Sequence, residues 1–117
     1  MTIQAGDILS YNGKKTTIAA QPLKHYLKTR NDVSFIFKST ALVRGYICNW
    51  KIKNKKLYLV SLVGFIKNNK KVDLRHLFPN ITTEVFAVWF SGYIRIPEDD
   101  IVLNFNKGIL KEDNVLT

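Results

Sequence analysis

The sequence predicts a single-domain, mainly β protein, at the margin of the α+β class, with a strongly curved or barrel-like antiparallel sheet and one or two short helices. Three observations support this class. Apolar residues alternate in short runs, turn-forming pairs separate the runs, and only two short segments have the apolar spacing of a helix. A chain of 117 residues is long enough for one core that buries about two thirds of its unfolded surface. No linker or repeat divides the chain, so residues 1–117 are predicted to form one domain.

The clearest predicted element is a long β-hairpin at residues 44–66. Apolar residues alternate along its first strand, an asparagine–lysine pair provides a two-residue loop, and the second strand is apolar on both faces. With this loop, Trp50 is predicted to face Leu59 and Tyr46 to face Val63. A strand that is apolar on both faces is typically central and covered on both sides.

Turn residues and proline delimit the other predicted elements. The apolar run at 85–90 is either a buried strand or a short buried helix, because periodicity does not distinguish the two at this length. A lysine–glycine pair at 107–108 ends the last predicted strand. The remaining predictions are a hairpin at 7–19, a helix that begins at 21–22, a strand at 33–37, a turn at 68–69, a helical turn at 73–79, and strands at 93–96 and 101–105.

The positive charge is concentrated in the first part of the chain. The formal net charge is +9, and residues 1–72 contain 14 Lys or Arg against 2 Asp or Glu, whereas residues 73–117 contain 4 against 7. Lysines interleaved with an aromatic ring on one strand face are typical of platforms for single-stranded nucleic acid. Lysines at turns and sheet edges also prevent edge pairing and maintain solubility. The candidate strip for a polyanion or a protein partner consists of Lys51, Lys53, Lys55, Lys56 and Tyr58.

Four aromatic residues form a second candidate site: Trp50, Trp89, Phe90 and Tyr93. In a curved sheet these rings could line a pocket for a small molecule, or they could simply pack in the core. If residues 85–90 form a strand, either Trp89 or Phe90 must leave the core side. The exposed ring would then mark the surface of a homodimer or of another partner.

The sequence shows no constellation that predicts catalysis, a metal or a cofactor. Cys48, the single cysteine, falls on the predicted inward face without a neighbouring histidine, so we expect a buried and unreactive thiol. His25 and His76 lack the spacing of metal ligands, and His25 is expected to face solvent. The carboxylates at 98–100 are typical of a solvated loop, and the glycines are all isolated, without a phosphate-binding loop.

The sequence also predicts a location in the cytoplasm. A lone cysteine cannot form an internal disulfide, which suits a reducing compartment. The first residues lack the basic and then apolar pattern of a signal peptide. No apolar run has the length needed to cross a membrane.

Six ordered segments resemble a family of small uncharacterised bacterial proteins. The shared pattern is an Arg-Gly-Tyr and Trp hairpin, a Leu-Phe-Pro stop, and a Phe-Ala then Trp-Phe-Ser-Gly strand that ends in Ile-Pro. Family members carry a longer histidine- and tyrosine-containing segment after the Ile-Pro, where this chain has only residues 98–100 before the last predicted strand. The resemblance implies an accessory or mobile bacterial gene and no known activity. The segments are AGDILSYNG, Pro22-Leu23 with Tyr26-Leu27, STALVRGYICNWKI, KLYLVSLVGFI, LRHLFP and VFAVWFSGYIRIP, within residues 5–105.

These observations together predict a non-enzymatic binding module that recognises a protein partner, as a monomer or a homodimer. The basic first part of the chain suits an acidic partner, and such binding should weaken with salt. Two alternatives remain from the sequence. One is a basic nucleic-acid-binding protein that uses the lysine strip, and the other is a small-molecule binder that uses the aromatic residues.

Overall fold

The computed structural model describes residues 6–36, 44–81, 83–96 and 100–115. Within them the protein is mainly β, with two short helices and one strongly curved sheet, which confirms the predicted fold class. The elements are β1 Asp7–Tyr11, β2 Lys14–Ile18, α1 Pro22–Leu27, β3 Tyr46–Lys53, β4 Lys56–Ile66, β5 Lys70–Asp73, α2 Leu74–Leu77, β6 Val85–Phe86, β7 Gly92–Ile96, β8 Ile101–Asn106 and β9 Ile109–Val115.

The sheet curves into a nearly closed barrel. Its strand order is β2-β1-β3-β4-β9-β8-β7, and the two end strands, β2 and β7, come into contact. Neighbouring strands pair antiparallel, except that β1 and β3 pair in parallel. A parallel pair needs a long crossover. The chain provides it with β2, α1 and the segment that leads to β3.

Strand β4 is central, as predicted. One edge pairs with β3, and the other pairs in turn with β9, β6 and β5. The prediction that β4 is covered on both sides is wrong, because Val60 and Val63 are 37% and 43% exposed on the outer side. The sheet therefore encloses the core on one side of β4 and leaves part of the other side open.

Both predicted two-residue hairpin loops are present. Asn12 and Gly13 have φ angles of 51° and 79°, and Asn54 and Lys55 have φ angles of 54° and 62°. Positive φ at both loop positions is the type I′ arrangement that matches the twist of the flanking strands. A lysine in this conformation costs more than a glycine, because its Cβ crowds the backbone.

The predicted register of the central hairpin is right near the loop and wrong beyond it. Trp50 pairs as predicted, whereas Tyr46 pairs with Gly64 instead of Val63, because a β-bulge adds one residue to β4. A bulge moves every later side chain to the opposite face. Consequently Leu62 is buried and Val63 is exposed.

Two further predictions about secondary structure need correction, and one long strand was not predicted. Residues 33–36 form no strand, although the Ile36 amide donates a hydrogen bond of 2.9 Å to a β4 carbonyl, and residue 37 lies outside the described residues. Residues 85–90 are neither a full strand nor a helix, because a turn follows the two-residue β6. Strand β9 was not predicted, because its polar Lys-Glu-Asp-Asn run lacks an apolar alternation.

The short helices begin where the sequence predicts. Pro22 occupies the first turn of α1, where its missing N–H costs nothing. The Asp73 carboxylate caps α2 by accepting a hydrogen bond of 3.0 Å from the Arg75 amide. Among the described residues, no helix is long and apolar enough to cross a membrane.

The two helices pack one end of the core. Arg30, just after α1, donates hydrogen bonds to the Tyr26 hydroxyl and to the Leu77 carbonyl, at 2.8 and 2.9 Å. This links α1 to α2. The largest fully buried side chains of the core include Leu9, Ile18, Leu23, Trp50, Leu57, Leu59, Leu62, Ile94, Leu103 and Phe105.

Gly45, which precedes β3, is expected to tolerate no side chain. Its φ is +83°, and a Cβ there would lie 2.1 Å from the Ile36 carbonyl oxygen. Gly13 has a similar φ of +79° with no atom near its Cβ position, so Gly13→Ala isolates the backbone strain. We expect Gly13→Ala to cost about 1 kcal/mol and Gly45→Ala about 3 kcal/mol or more, measured by urea unfolding. Equal costs would show that the close approach of Ile36 is absent.

Candidate functional site

Asp7 at the start of β1 is a charged residue whose side chain is fully buried. One carboxylate oxygen accepts hydrogen bonds from the Arg44 guanidinium and from the Cys48 amide, the latter at 3.0 Å. The other accepts a hydrogen bond of 2.9 Å from the indole N–H of Trp50. A buried carboxylate is tolerated when such donors replace its water shell. We call Asp7, Arg44, Cys48 and Trp50 the Asp7 cluster.

The local sequence explains why these groups meet. Alternation along β1 places Asp7 on the same inward face as Leu9, and the parallel pairing sets Leu9 beside Trp50. Arg44 reaches the carboxylate from just before β3, and its guanidinium lies 4.6 Å from the centre of the Tyr46 ring. Asp7 was not predicted as a buried residue. Its position in the alternation of β1, on the same side as the inward apolar residues, could have predicted its burial.

Burial keeps the Cys48 thiol and the Tyr46 hydroxyl neutral to a higher pH than usual. Burial raises the pKa of the Cys48 thiol well above its ordinary value of 9.0, the charge of Asp7 acts in the same direction, and Arg44 opposes it. Burial likewise raises the pKa of Tyr46. The prediction of a buried thiol is confirmed. A neutral buried thiol is a poor nucleophile. The hydrogen bonds of the Asp7 cluster instead hold β1 against β3.

The predicted lysine strip lies on the outer surface of the central hairpin. Lys53 pairs across the strands with Lys56, and Lys51 pairs with Tyr58. The Lys51 ammonium is 3.0 Å from a Glu84 carboxylate oxygen, which neutralises its charge. Lys55, the remaining residue of the strip, lies in the hairpin loop and not on a strand.

The aromatic rings of this surface are covered by ammonium groups. The centres of the Tyr58 and Phe86 rings are 5.9 Å apart. The Lys53 nitrogen lies 6.0 Å from the centre of the Tyr58 ring, and the Lys56 nitrogen lies 5.6 Å from that of Phe86. Cation–π attraction favours this arrangement. It leaves less of each ring face available for stacking with a base.

Exposed valines continue the same surface along β4. We use the name β4 outer face for four residues of β4 and one of the neighbouring β3: Lys56, Tyr58, Val60 and Val63, with Lys53. The sequence did not predict that Val63 is exposed, because the bulge that turns it outward has no sequence signal here. Two cavities border this face. One of about 250 Å³ is lined by Val60, Ser61, Leu62, Asp73, Leu74, Arg75, Ile81 and Thr83, and one of about 500 Å³ by Val63, Lys71, Val72, Asp73, Arg75 and His76.

The predicted aromatic site is divided by the fold. Trp50 and Phe90 are buried, and Trp89 is half-buried with its indole N–H donating a hydrogen bond of 3.0 Å to the Pro22 carbonyl. Tyr93 lies apart on β7 and is 66% exposed. The three buried or half-buried rings therefore pack within the core, and Tyr93 does not join them.

The predicted interface at residues 85–90 depended on a strand that is not formed. Trp89 packs against Trp50 and stacks on Phe78, with ring centres 6.4 and 6.0 Å apart, and Phe90 packs against Phe105 at 5.7 Å. Because a turn replaces the alternation of a strand, both rings face the core. The exposed residue of this run is Val88.

The histidines are both exposed, as expected for His25, whose ring is nearly perpendicular to that of Phe90, with ring centres 5.3 Å apart. No group of three or more His, Cys, Asp or Glu within the described ranges is placed to hold a metal ion. Of the acidic run at 98–100, residues 98 and 99 lie outside the described residues, and Asp100 is exposed.

Comparison with protein-family models, with curated proteins and with solved structures finds no match for this chain. The resemblance to a family of small bacterial proteins therefore stays a prediction. The function is therefore inferred from the geometry of the surfaces just described.

Removing the charge of Asp7 should destabilise the fold. In Asp7→Asn the partly buried Arg44 guanidinium loses its counter-ion, and its buried Nε already has no hydrogen-bond partner. We expect the free energy of unfolding in urea to fall by about 3 kcal/mol. The double variant Asp7→Asn with Arg44→Met should lose less than the sum of the two single losses, because neither charge is then left alone. Strictly additive losses would contradict the ion pair.

The thiol of Cys48 should make stability decrease in alkaline solution. Its pKa is raised in the folded state, so above pH 9.0 the unfolded chain releases this proton first, and stability falls as pH rises. The slope that the thiol contributes rises towards about 1.4 kcal/mol per pH unit above pH 9. Tyr46, whose pKa is raised as well, contributes equally in both proteins. Cys48→Ala should therefore show a shallower slope than the wild type between pH 9 and 10 in urea unfolding. Equal slopes would place the thiol in contact with water.

Proposed function

We propose that this protein is a non-enzymatic interaction module that binds an acidic protein partner through the β4 outer face. The observation that carries the proposal is the pair of exposed valines, Val60 and Val63, which continue a sheet surface that begins with Lys53 and Lys56. Protein interfaces commonly combine an apolar centre with a polar rim.

The charges around this face favour an acidic partner. Lys53 and Lys56 lie at one end, and Lys71 and Arg75 line the cavity beside Val63 at the other end. The single carboxylate of that cavity belongs to Asp73, which also caps α2. A positive rim accelerates the encounter with a negative partner and makes binding sensitive to salt.

The same face is less suited to single-stranded nucleic acid. The rings of Tyr58 and Phe86 lie under lysine ammonium groups, and Lys51 is already paired with a carboxylate. The basic residues are mostly lysine, whereas bidentate recognition of phosphate favours arginine. Exposed valines add nothing to binding a phosphate backbone but contribute directly to a protein interface. A bacterial cytoplasmic setting, taken from the sequence, belongs to the same proposal.

The partner class can be tested with defined probes. A fluorescent peptide of alternating Glu and Leu, a polyglutamate of equal length, and single- and double-stranded oligonucleotides are titrated at low and near-physiological salt. We expect the Glu-Leu peptide to bind more tightly than polyglutamate, because leucine adds apolar contact with Val60 and Val63. Tighter binding of an oligonucleotide that persists at the higher salt would overturn the proposal in favour of nucleic acid.

Charge reversal should locate the interface. Lys53→Glu with Lys56→Glu is expected to weaken peptide binding by about a hundredfold, at about one order of magnitude for each reversed contact. Val60→Ser and Val63→Ser should each weaken it by about fivefold. The matched control reverses Lys15 and Lys67, two exposed lysines outside the face, with the same change in net charge. Equal losses in both double variants would reduce the effect to net charge and contradict a specific face.

A further inference from the structure

A cavity of about 480 Å³ lies at the end of the barrel where β1 and β3 finish. Because these two strands pair in parallel, their carboxyl ends and the loops that follow lie at the same end of the sheet. The first residues of β9 form another side of the cavity. Its lining residues are Tyr11, Asn12, Ile52, Asn54, Lys55, Leu110 and Lys111. We call this the barrel-end cavity.

The chemistry of the lining divides into an apolar floor and a cationic rim. Ile52, half-buried, and Leu110, 8% exposed, provide aliphatic surface beside the Tyr11 ring. Lys55 and Lys111 are exposed and carry the positive charge of the rim. Two asparagine side chains add neutral polar groups to the lining. None of the described lining residues is acidic, in contrast to the 500 Å³ cavity beside β5, which contains Asp73.

The position of Lys55 is held at a cost in backbone energy. Its φ of 62° is one that glycine adopts more readily. The type I′ loop requires this φ, and the Lys55 carbonyl also accepts a hydrogen bond of 2.7 Å from the Leu110 amide, which ties the loop to β9. Strained backbone maintained by its surroundings is common at ligand sites. Here it brings a lysine to the edge of the cavity.

We propose that the barrel-end cavity binds a small organic anion, with an apolar body on Ile52 and Leu110 and a carboxylate or phosphate head between Lys55 and Lys111. The volume is within the usual range for small-molecule pockets. Apolar floors with a few polar groups at the rim select amphipathic ligands. This site is separate from the β4 outer face, so the two proposals can fail independently.

The test uses phenylbutyrate and phenyl phosphate as anionic probes and phenylbutanol as the neutral control. Titration is followed by calorimetry and by NMR shifts of the Ile52 and Leu110 methyl groups. We expect at least one anion to bind, with phenylbutanol weaker by about tenfold, because an ammonium contact to a charged head is lost. The anion that binds more tightly identifies the head group. Equal binding of phenylbutanol, or no binding of either anion at millimolar concentration, would overturn the proposal.

The variant Lys55→Gly separates binding from folding. Glycine relieves the strained φ, so the melting temperature should stay the same or rise. Affinity for the anion should fall by about tenfold. The control is Lys107→Gly, which removes another lysine at positive φ, 50°, that does not line the cavity. Unchanged affinity in Lys55→Gly, or an equal loss in Lys107→Gly, would contradict the assignment.

Discussion

The contact between the Asp7 carboxylate and its three donors determines how the barrel is assembled. Asp7 and Arg44 are separated by 37 positions in the chain, and Asp7 and Trp50 by 43. Closing such long segments is entropically unfavourable, and an unpaired buried carboxylate would be unfavourable as well. The arrangement with β1 beside β3 satisfies the carboxylate with a guanidinium, an amide and an indole at once. The cluster therefore favours one parallel strand pair over other ways of stacking two hairpins.

That parallel pair has consequences at the end of the barrel. Two hairpin loops, which in a simple meander would lie at separate corners, come to the same edge and meet the start of β9. A carboxylate buried in the core thus positions Asn12 and Lys55 around one cavity. Fold stability and the proposed anion site are connected through the orientation of β1, although Asp7 is not among the residues that line the cavity.

The sequence predicts what is local and misses what depends on distant parts of the chain. The Asn12-Gly13 turn is specified by its own residues, and so is the central hairpin next to its loop. The bulge in β4 and the parallel pairing depend on neighbours that are distant in sequence. For the same reason the lysine strip was found but the exposed Val63 was not, since one inserted residue reverses the faces of the strand. Asp7 alternates in β1 on the same side as Leu9, which is a local pattern. The residues that bind its carboxylate begin only at position 44, so their contact with Asp7 could not be predicted locally.

The bulge also accounts for the difference between the two sides of β4. Before it, Leu57 and Leu59 point into the core, and after it Leu62 takes their place, so the inner face stays apolar throughout. The outer side must then accept Val60 and Val63, which a regular strand would have distributed differently. Core packing alone does not require a valine at an exposed position, since a polar residue there would leave the inner face unchanged. Apolar side chains on a face that also carries Lys53 and Lys56 are what the proposed interaction with a partner requires.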